Sequence, residues 1–338
     1  MASRLAQLQA MSSTGGSASA SDASHTLPLV TVFVACYNHA RFVVQALDSV
    51  KRQNYPNVQL IVADDRSKDE SVSVIRAWLE QNWPDALFLA HTENRGICRT
   101  FNEIIGHARG KYISGFAADD VWLPGRLHGH VAFMESQPEN VGVLWGDAYQ
   151  IDEHGRRLPR KFMESHRALT VMPEGDVFAA LTAGNFIPAM TTIVRRRCFE
   201  EVGGYDESLA FEDWDMWLRI ARRFHFRYWP EPSAEYRILS TSMMRTQSDA
   251  IRISGERILI KCLHQGWLTG GVRAVARGLD HNHTMEHYRR KSPERFQETW
   301  ACFRRNPSPK NFLLLACCFA HVPPSWHAAL LRRLENFR

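Results

Sequence analysis

The first 120 residues predict an α/β protein: a doubly wound, mostly parallel sheet, extended at the C-terminus by helices. Three observations carry the prediction. Apolar runs of strand length alternate with segments whose apolar residues recur at helical spacing. Polar clusters follow three of those runs at their carboxyl ends, where open α/β sheets bind ligands. The composition, 45% hydrophobic and 23% charged over 338 residues, is that of a globular chain large enough for one big domain or two ordinary ones.

Taken in order, "LVTVFVAC" (29–36) is a buried strand. The segment after it carries Phe42, Val43, Ala46, Leu47 and Val50 on one helical face. "VQLIVAD" (58–64) is a second strand, followed by Ser67 and Asp69 as N-cap candidates and a helix through Val72, Ile75 and Leu79. "ALFLAH" (86–91) leads through "TENRG" into a helix near 97–108, and "KYISGFA" (111–117) delivers Asp119–Asp120. After Pro124 come a helix (126–136), strand "VGVLWGDAY", the hairpin-like "QIDEHGRRL" and a strand "AMTTIVRR" (189–196). A short helix, a "GGYD" turn and the helical "EDWDMWLRIARRF" follow. The remaining residues read as helices broken at Gly270–Gly271, Pro293, Pro307 and Pro323–Pro324.

Other classes are excluded early. Seven scattered cysteines without a C-x-x-C pair fit reduced thiols of a cytoplasmic protein and not a disulfide framework. No apolar run has the length of a bilayer span. Residues 1–26, rich in Ser, Ala and Gly without an apolar stretch, read as a disordered leader. The net charge of +5 is modest and concentrated after Arg252, which suits an anionic neighbour of the tail more than a nucleic-acid-binding core. "NFLLLACCFAHVPPSWHAALLRRL" (311–334), with Trp326, Leu330, Leu331 and Arg332–Arg333, admits two readings. It is either a core helix packed on the preceding domain or a segment lying on an anionic membrane surface, on the inner face of the cell.

Three acidic constellations remain. Asp119–Asp120 at a strand's end can hold a hard divalent cation and a ribose, or cap a loop before Pro124. Asp64–Asp65 can bind a nucleobase or ribose, or form a turn with Ser67. Tyr37 can stack on a base or pack at a turn, and Arg95, Arg99 and Lys111 can face phosphates or form a solvated helix face. Glu212, Asp213 and Asp215 crowd a helix N-terminus, where one or two acids serve the dipole; a third is free to act as a general base.

Together these segments carry a resemblance. "VTVFVACYNHARFVVQALDSVKRQNYPNVQLIVADDRSKDES", "ENRGICRTFNEIIGHARGKYISGFAADDVWLPGRL", "GGYDESLAFEDWDMWLRIA" and "EYRILSTSMM" fall in the order and spacing of bacterial-type family-2 glycosyltransferases of the GT-A fold. The resemblance covers about residues 28–245. It implies a GT-A domain over 27–245 with a helical region over 246–338. It implies an inverting transfer of a sugar from a nucleotide-diphosphate donor, UDP foremost, to a glycan or lipid-linked acceptor of the cell envelope. On matching positions, Ala35, Tyr37 and Asn38 would line the nucleotide pocket and Asp65 would read the base. Arg95 and Glu212 would contact substrate, and Asp119 the ribose or diphosphate. Asp120 would hold Mg²⁺ or Mn²⁺, and Asp213 would be the catalytic base. Arg66 stands where the family often has Gly, and Ala118 where a longer metal motif has its first aspartate. Two rivals remain: a catalytically dead nucleotide-sugar or glycan-binding relative, and a nucleotidyltransferase. The latter would carry a glycine-bearing phosphate loop that "ACYNHARF" lacks.

Overall fold

The computed structural model describes residues 27–166, 169, 171–324, 326, 327 and 330. The leader 1–26 and, in the tail, Leu331, Arg332 and Arg333 lie outside the described residues.

The parallel half forms as the alternation dictates. Strands β1 (Val30–Cys36), β2 (Val58–Asp64), β3 (Leu87–Ala90) and β4 (Tyr112–Ala117) pair in the order β3-β2-β1-β4, all parallel. Successive side chains leave a strand on opposite faces. Val30, Val32 and Val34 pack on one face against Val43, Ala46 and Leu47 of α1 (Val43–Lys51) and Ile75 of α2 (Ser71–Asn82). Phe33, Ile61 and Ala63 pack on the other against Phe101 and Ile104 of α3 (Ile97–His107). Each such fully buried side chain contributes about 1.5–3 kcal/mol, so both faces are held by apolar contact. A Cβ on Gly115 would sit 2.4 Å from the Phe33 ring, so only glycine lets β4 approach β1 here.

Beyond β4 the sheet becomes mixed. The elements are β5 (Val121–Trp122), α4 (Arg126–Glu135), β6 (Val141–Ile151), β7 (Arg157–Lys161), α5 (Phe162–His166), α6 (Phe178–Thr182) and β8 (Ile193–Arg195). There follow α7 (Arg196–Val202), α8 (Asp213–Ala221) and β9 (His225–Arg237). The sheet continues β4-β8-β6-β9-β5, with β7 paired to β6; β8 runs antiparallel to β4 and β6, and β9 runs parallel to β6.

Two expectations change. The strand expected over 189–196 is a 3₁₀ turn at Ala189–Thr191 followed by only three strand residues. The Thr191 hydroxyl donates to the Pro188 carbonyl and the Thr192 hydroxyl to that of Ala189, and such local bonds compete with the ladder. Conversely, β9 is a thirteen-residue strand that the sequence reading did not contain. Pro230 and Pro232 speak against a strand, but the register jumps from Gly146↔Trp229 to Ala148↔Ala234, so both prolines sit in the bulge between.

The tail comprises α9 (Met243–Thr246), α10 (Ser248–His264), α11 (Gly270–Arg289), α12 (Arg295–Arg305) and α13 (Pro309–Phe319). Ile258, Cys262, Leu268 and Ala276 enter the same core as Trp217 of α8. Lys261 of α10 lies 2.8 Å from Asp215 and 2.9 Å from Asp206, which ties α10 to the start of α8. The 311–320 segment forms a helix, but its buried residues do not join the core of the preceding domain. Leu314, Cys317 and Cys318 bury against Met285 and Tyr288 of α11, in a small cluster separate from the main core. All seven cysteines are buried and unpaired.

Candidate active site

All three polar clusters leave the carboxyl edge of the parallel strands, because β1, β2 and β4 end side by side: the Asp65 amide donates to the Cys36 carbonyl and the Ala118 amide to that of Ala35. Lys111 lies just before β4 at the opposite edge and pairs with Glu135, so it cannot face a ligand bound here.

The first cluster is closed by its own chain. Asp64 accepts from the Ser67 amide at 2.8 Å and its hydroxyl at 2.6 Å. Asp65, expected to read a base, accepts from the amides of Arg95 (2.7 Å) and Gly96 (2.8 Å) and meets His91 Nδ1 at 2.9 Å. The Arg95 guanidinium lies 2.8 Å from Glu103, the carboxylate that also meets His91 Nε2. Asp65 therefore shapes the loop entering α3. Asn38 accepts from the Lys68 amide, and Tyr37 projects 42% exposed beside it. Ala35 lines the end of β1, half-buried. Arg66 adopts φ +60°, the left-handed region that glycine enters without cost, which accounts for the family's usual glycine there.

The second cluster is less compensated. Asp120 is buried at 3% exposure, and its carboxyl is pushed well above the usual range by burial and then by the Asp119 charge. It accepts a hydrogen bond from the Arg237 amide, 2.9 Å away. Arg237, the last residue of β9, borders this pair and carried no role in the sequence reading. Its guanidinium donates to the carbonyls of Asp119 and Asp152 and to the Gln45 side chain, and lies over the Phe42 ring. His39 was also missed: its Nδ1 is buried without a hydrogen-bond partner, 3.7 Å from the Asp119 carboxylate. Both lie inside quoted motifs, "YNHARF" and "EYRILSTSMM".

Glu212 and Asp213 open α8. Both are recessed but keep partial exposure, so a ligand can reach them. Burial raises both carboxyls, and Asp213's charge raises Glu212 further. Asn185 donates to Asp213 Oδ2 at 2.7 Å, while its own Oδ1 accepts from the Ile187 amide. Asp215 differs: it is buried between Arg219 and Lys261 and serves structure.

Comparisons with known proteins bear on the family and the fold. The sequence model described as glycosyl transferase family 2 matches residues 31–203, a span that holds the first two clusters and stops short of Glu212–Asp213. An uncharacterized glycosyltransferase of Rickettsia felis is 26% identical over 196 residues, 58% of this chain and 32% of that protein. One from Methanocaldococcus jannaschii is 28% identical over 218 residues, covering 62% of this chain and 71% of its own length. The match thus spans only about a third of the first of these relatives. Among solved structures, a mannosyltransferase of Pyrobaculum calidifontis, in complex with GDP-Man and Mn²⁺, superposes with TM-score 0.54 at 20% identity, over 87% of this chain and 80% of that one. TarS of S. aureus, in complex with UDP-GlcNAc, gives 0.54 at 12% identity, over 91% and 92%. At such identities the likeness establishes the fold. The sheet is that of the GT-A fold, and this chain belongs to glycosyl transferase family 2.

Proposed function

We propose that the protein moves a sugar from a nucleotide-diphosphate donor to an acceptor hydroxyl with inversion. The observation that carries this reading is Asp213. It is a half-buried carboxylate whose proton affinity burial raises toward neutrality, and Asn185 donates to it at 2.7 Å. In the reaction, the acceptor oxygen forms a bond to the anomeric carbon as the bond from that carbon to the diphosphate oxygen breaks. The nucleoside diphosphate leaves with the electron pair, and the hydroxyl proton goes to Asp213. A single displacement from the opposite face inverts the anomeric centre.

The residues around Asp120 fit a divalent cation, Mg²⁺ or Mn²⁺. Burial and Asp119 leave Asp120 with uncompensated charge, and the orphaned His39 Nδ1 lies beside Asp119. Among the described residues no group of three or more His, Cys, Asp or Glu forms a ready-made cage. That suits an ion of the kind that completes its shell with substrate phosphates. Asp120, with Asp119 beside it, would hold the ion; when bound, it would supply neutralisation of the leaving diphosphate's charge. Tyr37 and Ala35 would flank the base, Asn38 and Asp65 would hold the loops that enclose it, and Arg95 and Glu212 would contact the donor and its sugar.

UDP is our first choice of nucleotide, and a glycan or lipid-linked acceptor of the cell envelope our choice of acceptor. The test is a panel of UDP-, GDP- and dTDP-sugars with Mn²⁺, read both by thermal shift and by release of nucleoside diphosphate. Binding with release supports transfer. Binding without release under any acceptor would identify a nucleotide-sugar-binding module instead.

A further inference from the structure

The outer face of the helical tail is aromatic. In α12, Thr299 and Cys302 turn inward, while Phe296 and Trp300 stand 44% and 48% exposed. In α13, Leu314, Cys317 and Cys318 turn inward, while Phe312 and Phe319 stand 60% and 72% exposed. The two helices place these rings together: Phe296 and Phe319 have centroids 6.0 Å apart, and Phe303 and Phe312 5.9 Å apart. Trp300 lies 6.4 Å from Phe303 and one helical turn (i, i+4) from Phe296, which sets both pairs along one side of the two helices. Soluble helices turn such a face inward, so a contiguous exposed strip marks a contact surface.

Charge says what covers it. Lys291 and Arg295 stand at one end of the strip, and Arg304 and Lys310 at the other, against Glu294 and Glu298. After Arg252, Lys and Arg clearly outnumber Asp and Glu. A second copy of the chain would bring this positive surface against itself. A stable protein interface also draws on about 20–30 residues a side, and the strip offers five rings from two short helices. Phe and Trp rings flanked by cations are what an interfacial helix presents to anionic headgroups. Among the described residues no helix is long and apolar enough to cross a membrane.

We infer that the α12–α13 face docks the protein on an anionic lipid surface, with both helices lying in the plane of the interface. This moves the contact from the 311–334 segment alone to a two-helix face in which Phe296 and Trp300 take part. The inference does not depend on the transfer reaction.

The experiment is co-sedimentation of the full chain with vesicles of phosphatidylcholine, with and without phosphatidylglycerol, at low and high salt, with Trp300→Ser/Phe319→Ser as the variant. Both residues are exposed, so the variant should melt like the parent. The expected result is binding to anionic vesicles only, weakened by salt, and reduced at least about tenfold in the variant, which removes two apolar rings from the contact. Absence of vesicle binding by the parent overturns the inference, as does equal binding by a variant that melts normally. A concentration-dependent dimer that the variant abolishes, without vesicle binding, would assign the face to a second copy and overturn it too.

Discussion

Asp64–Asp65 and Glu212–Asp213 are both adjacent acidic pairs, yet their surroundings are opposite. The first pair is enclosed by donors: Ser67, two amides of the loop entering α3, and His91. The second has few. Glu212 meets its own amide, and Asp213 meets Asn185 and amides of its own turn, so burial dominates and both carboxyls rise. Asp120 resembles the second pair. A carboxylate whose own chain neutralises it builds a loop. One left short of compensation stores an affinity for a proton or a cation, and that is what glycosyl transfer needs at two points.

Four changes test the contrast. The largest effect is expected from Asp213→Asn, which keeps shape and the Asn185 contact but cannot take a proton. Turnover should fall about 10²–10⁴-fold, the range for a general base, with donor affinity unchanged. Substantial residual transfer would remove Asp213 from the role.

Asp120→Asn comes next. It keeps an acceptor for the Arg237 amide and removes the charge. Metal-dependent turnover should drop by about 3 kcal/mol, on the order of 10²-fold. Stability without donor should hold or rise. The folded-state carboxyl is raised, so its ionisation at neutral pH opposes folding, and the amide escapes that cost. Thermal melts and metal titrations of turnover check both halves; a strongly destabilised variant would mean that Asp120 is structural.

Asp65→Asn should do the reverse. It weakens charge-assisted bonds to Arg95, Gly96 and His91, so the protein should lose roughly 1.5–3 kcal/mol. Denaturant melts read this directly. An unchanged midpoint combined with lost donor binding would return Asp65 to the role of a base reader.

What was legible follows the same division. The parallel half was legible because apolar runs, helical spacing and strand-end acids are local patterns, and β1 to β4 fall within two residues of the expected ranges. Strand β9 was hidden because its prolines mimic a loop until the bulge opposite Gly146 accommodates them. Arg237 and His39 sat inside quoted motifs without a role, since Arg237 meets Asp120 only through β9 and His39 meets Asp119 only because the ends of β1 and β4 lie side by side. Asn185 lies 28 residues before Asp213, in a stretch with no pattern, and only the folded chain aims it.

Asn185 therefore gives the smallest and most discriminating test. Its Nδ2 donates to Asp213 at 2.7 Å, and its Oδ1 is fixed by the Ile187 amide, so the donor is aimed before substrate arrives. Donation favours the ionised carboxylate and opposes the burial that carries Asp213 from an ordinary 3.8 to about 6. The base works only when ionised, so wild-type turnover should fall as pH drops through about 6. Removing the donor in Asn185→Ala leaves burial unopposed, so the acid limb should move to higher pH. The loss of one hydrogen bond to a charged group makes that shift about one pH unit. Below the limb the variant should then run about tenfold slower, while at alkaline pH it regains most of the wild-type rate with KM unchanged. A residue that merely held the fold would lower the rate by one factor at every pH. A full pH profile of kcat separates the two: a parallel displacement without a shift of the limb would make Asn185 a packing residue and leave Asp213 oriented by its own helix.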